Sequence, residues 1–199
     1  MQRGLAMARL PHALLLSGPS GCGQAHFGEV LLAAALCLNP HSDGTACGDC
    51  QPCRLRQAAT HPDLKRVALA ADSEQIKVDQ IRELIVFLGL SRQFDAHRVA
   101  LIEAAERMNR NAANSLLKML EEPPPKTLII LIGEQASRLP ATIRSRCQML
   151  RFPPPPRAVA QDWLAARLGD AAKARYLLDL AHGAPLRALA LSEGDYLAR

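Results

Sequence analysis

Two stretches of this sequence carry residue types at spacings that could do chemistry. The first is Gly18-Pro19-Ser20-Gly21-Cys22-Gly23-Gln24-Ala25, directly after the apolar run Ala13 to Ser17. A strand, a glycine-bounded loop and a following helix are the setting in which backbone N–H groups curl around phosphate oxygens. That chemistry also needs a lysine to reach the terminal phosphates and a hydroxyl to hold magnesium. Here Gln24 and Ala25 stand at those places: one carries no charge, and the other has no oxygen to offer a metal. The loop is therefore predicted to be built, with Gly18 and Gly23 in place, but without productive nucleotide binding.

The second stretch is Cys47-Gly48-Asp49-Cys50-Gln51-Pro52-Cys53, with Cys37 upstream. Cys-x2-Cys turns aim sulfurs at one point, and a fourth thiol closes a tetrahedral site for a structural Zn2+ with no open position for water. Gly44, Gly48 and Pro52 supply the bends. Cys37, Cys47, Cys50 and Cys53 are the expected ligands, with His41 in reserve if Cys37 is used in the core. A redox role for the pairs is disfavoured because the stretch lies outside a strand–helix context of thioredoxin type. Cys22 and Cys147 are isolated and expected to be unliganded.

Elements must position these groups, and the alternation of short apolar strands with helical patterns points to an α/β domain with a parallel sheet. Expected strands are Ala13 to Ser17, Leu64 to Leu69, Val99 to Glu103, Leu128 to Ile132 and Gln148 to Phe152. The third and fourth are apolar nearly throughout, as central parallel strands are. Ile81, Leu84, Ile85 and Leu88 have helical spacing, with Asp79 placed to cap the start. Ala113, Leu116, Leu117 and Leu120 repeat the spacing, and that helix must stop near Glu122 because Pro123-Pro124-Pro125 cannot continue it. The α/β unit is assigned to residues 1–152, with the cysteine insertion at 37–53. Residues 153–156, all proline, form a stiff linker. Residues 157–199 read as helix only: Arg157 to Leu168, Ala171 to His182 and Pro185 to Leu191, a small helical lid.

The chain has 199 residues, 49% of them hydrophobic and 22% charged, an ordinary balance for a globular protein with a sizeable core. A net charge of +5 permits an anionic partner, while 4% aromatic residues argue against base stacking as a main mode of contact. Arg3, Arg9 and Pro11 break any signal-peptide core, and no apolar run approaches membrane-spanning length. A cytoplasmic protein without membrane contact is expected, in which reduced thiols favour metal binding over disulfides.

Further along, Val99 to Ile102 leads into Glu103-Ala104. In a phosphate-loop ATPase this strand tip holds a metal-binding acid and then a Glu that polarises water. Ala104 cannot activate water, and Glu103 serves equally well as the polar end of a strand. These features, with Val78-Asp79-Gln80-Ile81-Arg82, Asn114 through Pro124 (Asn-Ser-Leu-Leu-Lys-Met-Leu-Glu-Glu-Pro-Pro) and Ser145-Arg146-Cys147, resemble the clamp-loader family of the AAA+ superfamily. Within it they are most similar to the delta prime subunits of bacterial DNA polymerase III. The resemblance runs from about residue 10 to about residue 190.

That resemblance implies a non-catalytic member of a five-membered ring that uses ATP to place a sliding clamp on primed DNA. Its partners would be the gamma/tau ATPase and delta subunits. The arginine of the Ser-Arg-Cys triplet in this family reaches into the neighbour's ATP site, so Arg146 would act in trans as an arginine finger. Read on its own, Arg146 is a surface or intramolecular ion-pair residue. Gly183-Ala184-Pro185-Leu186-Arg187 resembles a lid motif whose arginine senses nucleotide. Here Arg187 is expected to pack or pair structurally instead. Gly133 stands where active relatives carry a polar sensor. Family members also carry a C-terminal collar domain that these 199 residues are expected to lack. Two other readings compete: an active clamp-loader-type ATPase, and a stand-alone zinc-binding nucleic-acid adapter, which would bind DNA with a steep salt dependence.

Overall fold

The computed structural model describes residues 10–194. Arg3, Arg9 and the last stretch up to Arg199 lie outside them. Five parallel strands form one sheet: β1 (Ala13–Ser17), β2 (Leu64–Val67), β3 (Arg98–Ile102), β4 (Thr127–Gly133) and β5 (Gln148–Arg151), in the order β2-β3-β4-β1-β5. β3 and β4 are buried along their whole length, and Val99 pairs in register with Leu128 and with Leu64 on the other side. The apolar runs Val99 to Ile102 and Leu128 to Ile132 are explained by helices on both faces. The parallel α/β architecture is as the alternating pattern predicts, and β1 joins β3 and β4 in the interior of the sheet.

On one face lies α1 (Gln24–Leu36), entered from Gly23 at φ 101°. Gly28 lets this helix sit close to the sheet, since a Cβ there would meet Ile132 Cδ1 at 2.9 Å. On the other face α3 (Val78–Gly89) and α4 (Arg110–Glu121) pack Ile81, Leu84, Leu116 and Leu120 onto Leu15, Ile102 and Leu131. Asn109 starts α4 by accepting from the Ala112 N–H at 2.8 Å. Of two short helices, α2 (Gln51–Gln57) takes in the end of the cysteine stretch and α5 (Ala141–Arg144) precedes β5.

Three departures from expectation have local reasons. Asp79 does not cap α3; it pairs with Arg82 at 3.0 Å. Gln80 closes that turn instead, its Oε1 accepting from the Lys77 N–H at 2.9 Å while its Nε2 donates to Ala68 O. The second bond takes the carbonyl that would have extended β2 beyond Val67. The helix begun at Ala171 stops at Leu180 because His182 and Gly183 turn through positive φ.

Past the prolines come α6 (Arg157–Leu168), α7 (Ala171–Leu180) and α8 (Pro185–Ser192). They share a cluster of Ala160, Leu164, Leu177, Leu178 and Ala188, flanked by Trp163, whose ring lies under the Arg167 guanidinium at 3.7 Å. Asp170 caps α7 by accepting from Ala172 N–H and Lys173 N–H. The start of α8 touches the body at the glycine loop, where the Leu186 N–H donates to Gly21 O at 3.1 Å.

Candidate functional site

The loop between β1 and α1 is closed by its own side chain. Gln24 is 4% exposed, and its Nε2 donates to Gly18 O at 2.8 Å and to Pro19 O at 2.9 Å. A lysine here would extend a charge toward a ligand; the shorter amide is spent on the loop's carbonyls. Lid helix α8 then covers Gly21, where a Cβ would lie 2.6 Å from both the backbone N and the Cβ of Arg187. Arg187 therefore packs through its backbone and Cβ. Its residue is exposed and its guanidinium makes neither an ion pair nor a hydrogen bond among the described residues, so of the two expected roles, packing or pairing, it packs.

The neighbouring strand tips are also occupied. Glu103 pairs with Arg66 at 3.6 Å, and both Glu29 oxygens hold the same guanidinium. Ala104 sits in the left-handed region at φ 49°, a conformation that costs an alanine about 1–2 kcal/mol. Sequence reading missed Glu106. Its carboxylate fills the space over Gly133, where a Cβ would come within 2.5 Å of Oε2, and its Oε1 accepts from the Glu134 N–H at 3.3 Å. No signal in the sequence tied Glu106 to Gly133, 27 positions on, because the link is purely spatial.

The four expected cysteines come together. Cys37 leaves the end of α1 and Cys53 lies in the first turn of α2, both buried, while Cys47 and Cys50 come from the loop between. Their sulfurs all lie within 4.8 Å of one another. Separations of 3.5 Å (Cys37–Cys47), 3.9 Å (Cys37–Cys50) and 4.0 Å (Cys47–Cys53) bracket the ~3.8 Å edge of a tetrahedron with metal–sulfur bonds of ~2.3 Å. Backbone N–H groups of Cys47 and Cys50 point at the sulfurs of Cys37 and Cys47 at 3.3 and 3.4 Å, which stabilises thiolates. Burial alone would raise Cys50, but the N–H groups of Leu38 and Cys53 and the adjoining thiols hold it down to about 6. Cys53, buried and beside Cys50, is pushed up to about 12. Four sulfurs so arranged can hold a metal ion. His41, Cys22 and Cys147 lie outside the cluster, and burial drives the Cys147 thiol up to about 11.

Arg146 follows α5. Its Nε donates to Glu121 Oε1 at 2.8 Å, its Nη2 meets the same oxygen at 2.5 Å, and its Nη1 donates to Thr142 O at 3.0 Å. The pair is partly exposed, 34% for Arg146 and 48% for Glu121. Arg146 thus forms an ion pair within the chain that lies at the surface.

A family profile described as DNA polymerase III, delta subunit, matches residues 1–156. The chain belongs to this family. It is 44% identical over 183 residues to the DNA polymerase III subunit delta' of Pseudomonas aeruginosa, a match covering 91% of this chain and 56% of the relative. Against the subunit delta' of Escherichia coli K12 it is 36% identical over 185 residues, covering 92% and 55%. The chain thus spans about half the length of the curated relatives it matches. A crystal structure of a gamma-subunit-related protein from Thermotoga maritima superposes with a TM-score of 0.62 at 22% identity, over 94% of this chain and 56% of that one. At that identity the likeness is one of fold, and it agrees with the parallel AAA+ sheet. No helix among the described residues is long and apolar enough to cross a membrane.

Proposed function

We propose that this family member serves in the DNA polymerase III clamp loader as a subunit that does not itself hydrolyse ATP. It lends Arg146 to the ATP site of a neighbouring gamma/tau subunit. The observation that carries the reading is the Gln24 amide bound to the Gly18 and Pro19 carbonyls. A loop whose Gln24 side chain is tied to its own carbonyls, beneath α8, with no lysine to meet phosphate, Glu103 engaged by Arg66 and Ala104 in place of a base, offers neither positive charge nor water activation to a triphosphate. Delta subunits, the sliding clamp and primed DNA complete the proposed assembly.

Arg146 fits the role chemically. A guanidinium presents a planar fork to phosphate oxygens and stabilises charge developing in the transition state. To do so it must exchange Glu121 for phosphate. A partly exposed ion pair contributes only about 0–1 kcal/mol, so the exchange is inexpensive. Zinc at Cys37, Cys47, Cys50 and Cys53 would be structural, tying the end of α1 to α2. Four protein ligands leave no position for a reacting water.

The test is a reconstituted complex containing Arg146→Ala. We expect the complex to assemble while its ATPase and clamp-loading rates fall, with arginine fingers in GTPases setting an upper scale of about 10³–10⁵. Unchanged rates would remove Arg146 from this role. Titration calorimetry of the isolated chain with ATP and magnesium should give no saturable heat. Micromolar binding with hydrolysis would instead favour an active ATPase.

A further inference from the structure

A cleft of about 360 Å³ opens on the α4–α5 side of the sheet, beyond the tips of β1 and β5. Its polar wall comes from Arg144, Arg151, Ser17 and Ser137, and its apolar wall from Met149 and Phe152. No carboxylate lines it. Several arginines of the body have side-chain acceptors. Arg66 has Glu29 and Glu103, Arg82 has Asp79, Arg146 has Glu121, and Arg98 has Asp63 together with three carbonyls. Arg144 and Arg151 make no ion pair and no side-chain hydrogen bond among the described residues. The Nε of Arg144 is moreover shut off from solvent without a partner there.

Such a group is costly to bury unsatisfied, and a guanidinium seated this way keeps four further N–H donors on its terminal nitrogens. We infer that this cleft binds the phosphate group of a nucleotide, free or within a nucleic-acid strand. Two guanidiniums and two hydroxyls suit the several oxygens of a tetrahedral oxyanion. The volume exceeds a bare ion and suits a phosphate carrying its sugar against Met149 and Phe152.

The cleft is separate from the glycine loop's phosphate cradle. Of that loop only Gly18 and Pro19 line it. The Gly18 N–H is already given to Gly133 O at 3.2 Å, and proline has none to give. The arginines and serines therefore do the binding, and the inference stands whether or not Arg146 acts in trans.

The 15N-labelled chain should be titrated with inorganic phosphate, deoxyadenosine monophosphate and a short single-stranded oligodeoxynucleotide at low salt. Saturable amide shifts are expected at Ser17, Ser137, Arg144 and Phe152, with dissociation constants around millimolar for the small ligands. Arg144→Ala should weaken binding by at least ~10-fold. Arg151→Ala should weaken it too, Arg144→Lys less than Arg144→Ala, and the distant Arg82→Ala not at all. Binding of the oligonucleotide at the same resonances, displaced by phosphate, identifies a strand as the source. Binding of the mononucleotide alone identifies a free nucleotide. Either supports the cleft. Shifts confined to Gly21 through Gln24, shifts that survive both arginine-to-alanine variants, or none to tens of millimolar would overturn it.

Discussion

His61 shows how one buried side chain ties stability to pH. Its Nδ1 accepts from the Asp63 N–H at 3.0 Å, its ring lies 5.5 Å from that of Phe94, and burial holds its pKa below the usual 6.5. A neutral ring is therefore favoured in the folded chain. Its contribution is complete above pH ~6.5 and is lost as pH falls through the depressed value, because protonation removes the acceptor. Denaturant midpoints should decline below pH 6.5, and His61→Gln should flatten that decline. The adjacent Asp63–Arg98 pair, at 2.7 Å and nearly sealed from solvent, also fixes the turn between α3 and β3 through Gln93 and Phe94 N–H groups. Deleting one partner strands the other, so Asp63→Ala should cost about 3–5 kcal/mol in equilibrium unfolding. Arg98→Lys should not rescue fully, since an ammonium cannot reach Asp63, Phe87 O, Leu90 O and Ser91 O together.

Among elements, α1 joins the two chemically suggestive stretches. Gln24 closes the loop at its first residue, and Cys37 follows its last. Thirteen residues at 1.5 Å each set these ends ~20 Å apart on one rod. Chelation should lower the melting temperature, and Cys50→Ser should reduce zinc content from about one per chain, measured by elemental analysis. The strands and most helices were legible in the sequence because periodicity and proline report local rules, and Cys-x2-Cys spacing is itself a local rule. Gln80 in place of Asp79, Glu106 over Gly133, and Glu121 against Arg146 were not. Each depends on which residues meet in space, and their sequence neighbours carry no trace of the meeting. Gln24 lay between: its lost charge was visible, while its bonds to Gly18 and Pro19 needed the folded loop.

For the whole molecule, the contact between α8 and the glycine loop rests on Gly21. A Cβ at Gly21 would collide with the backbone N and Cβ of Arg187, and the residue already holds φ at +83°. Gly21→Ala should release α8 from the loop while leaving the lid's own cluster intact, seen as faster hydrogen exchange at the Leu186 amide. Gly18→Ala, which would press against the Phe152 backbone carbonyl, should instead destabilise the sheet itself.

The chain's single tryptophan, Trp163, sits in the lid beneath Arg167. Intrinsic emission selectively excited in this protein is therefore a local gauge. It senses the helices after the prolines and is blind to the sheet, which far-ultraviolet dichroism reports together with them. Overlaying the two melting curves shows whether lid and body come apart as one unit or in succession, without attaching any label.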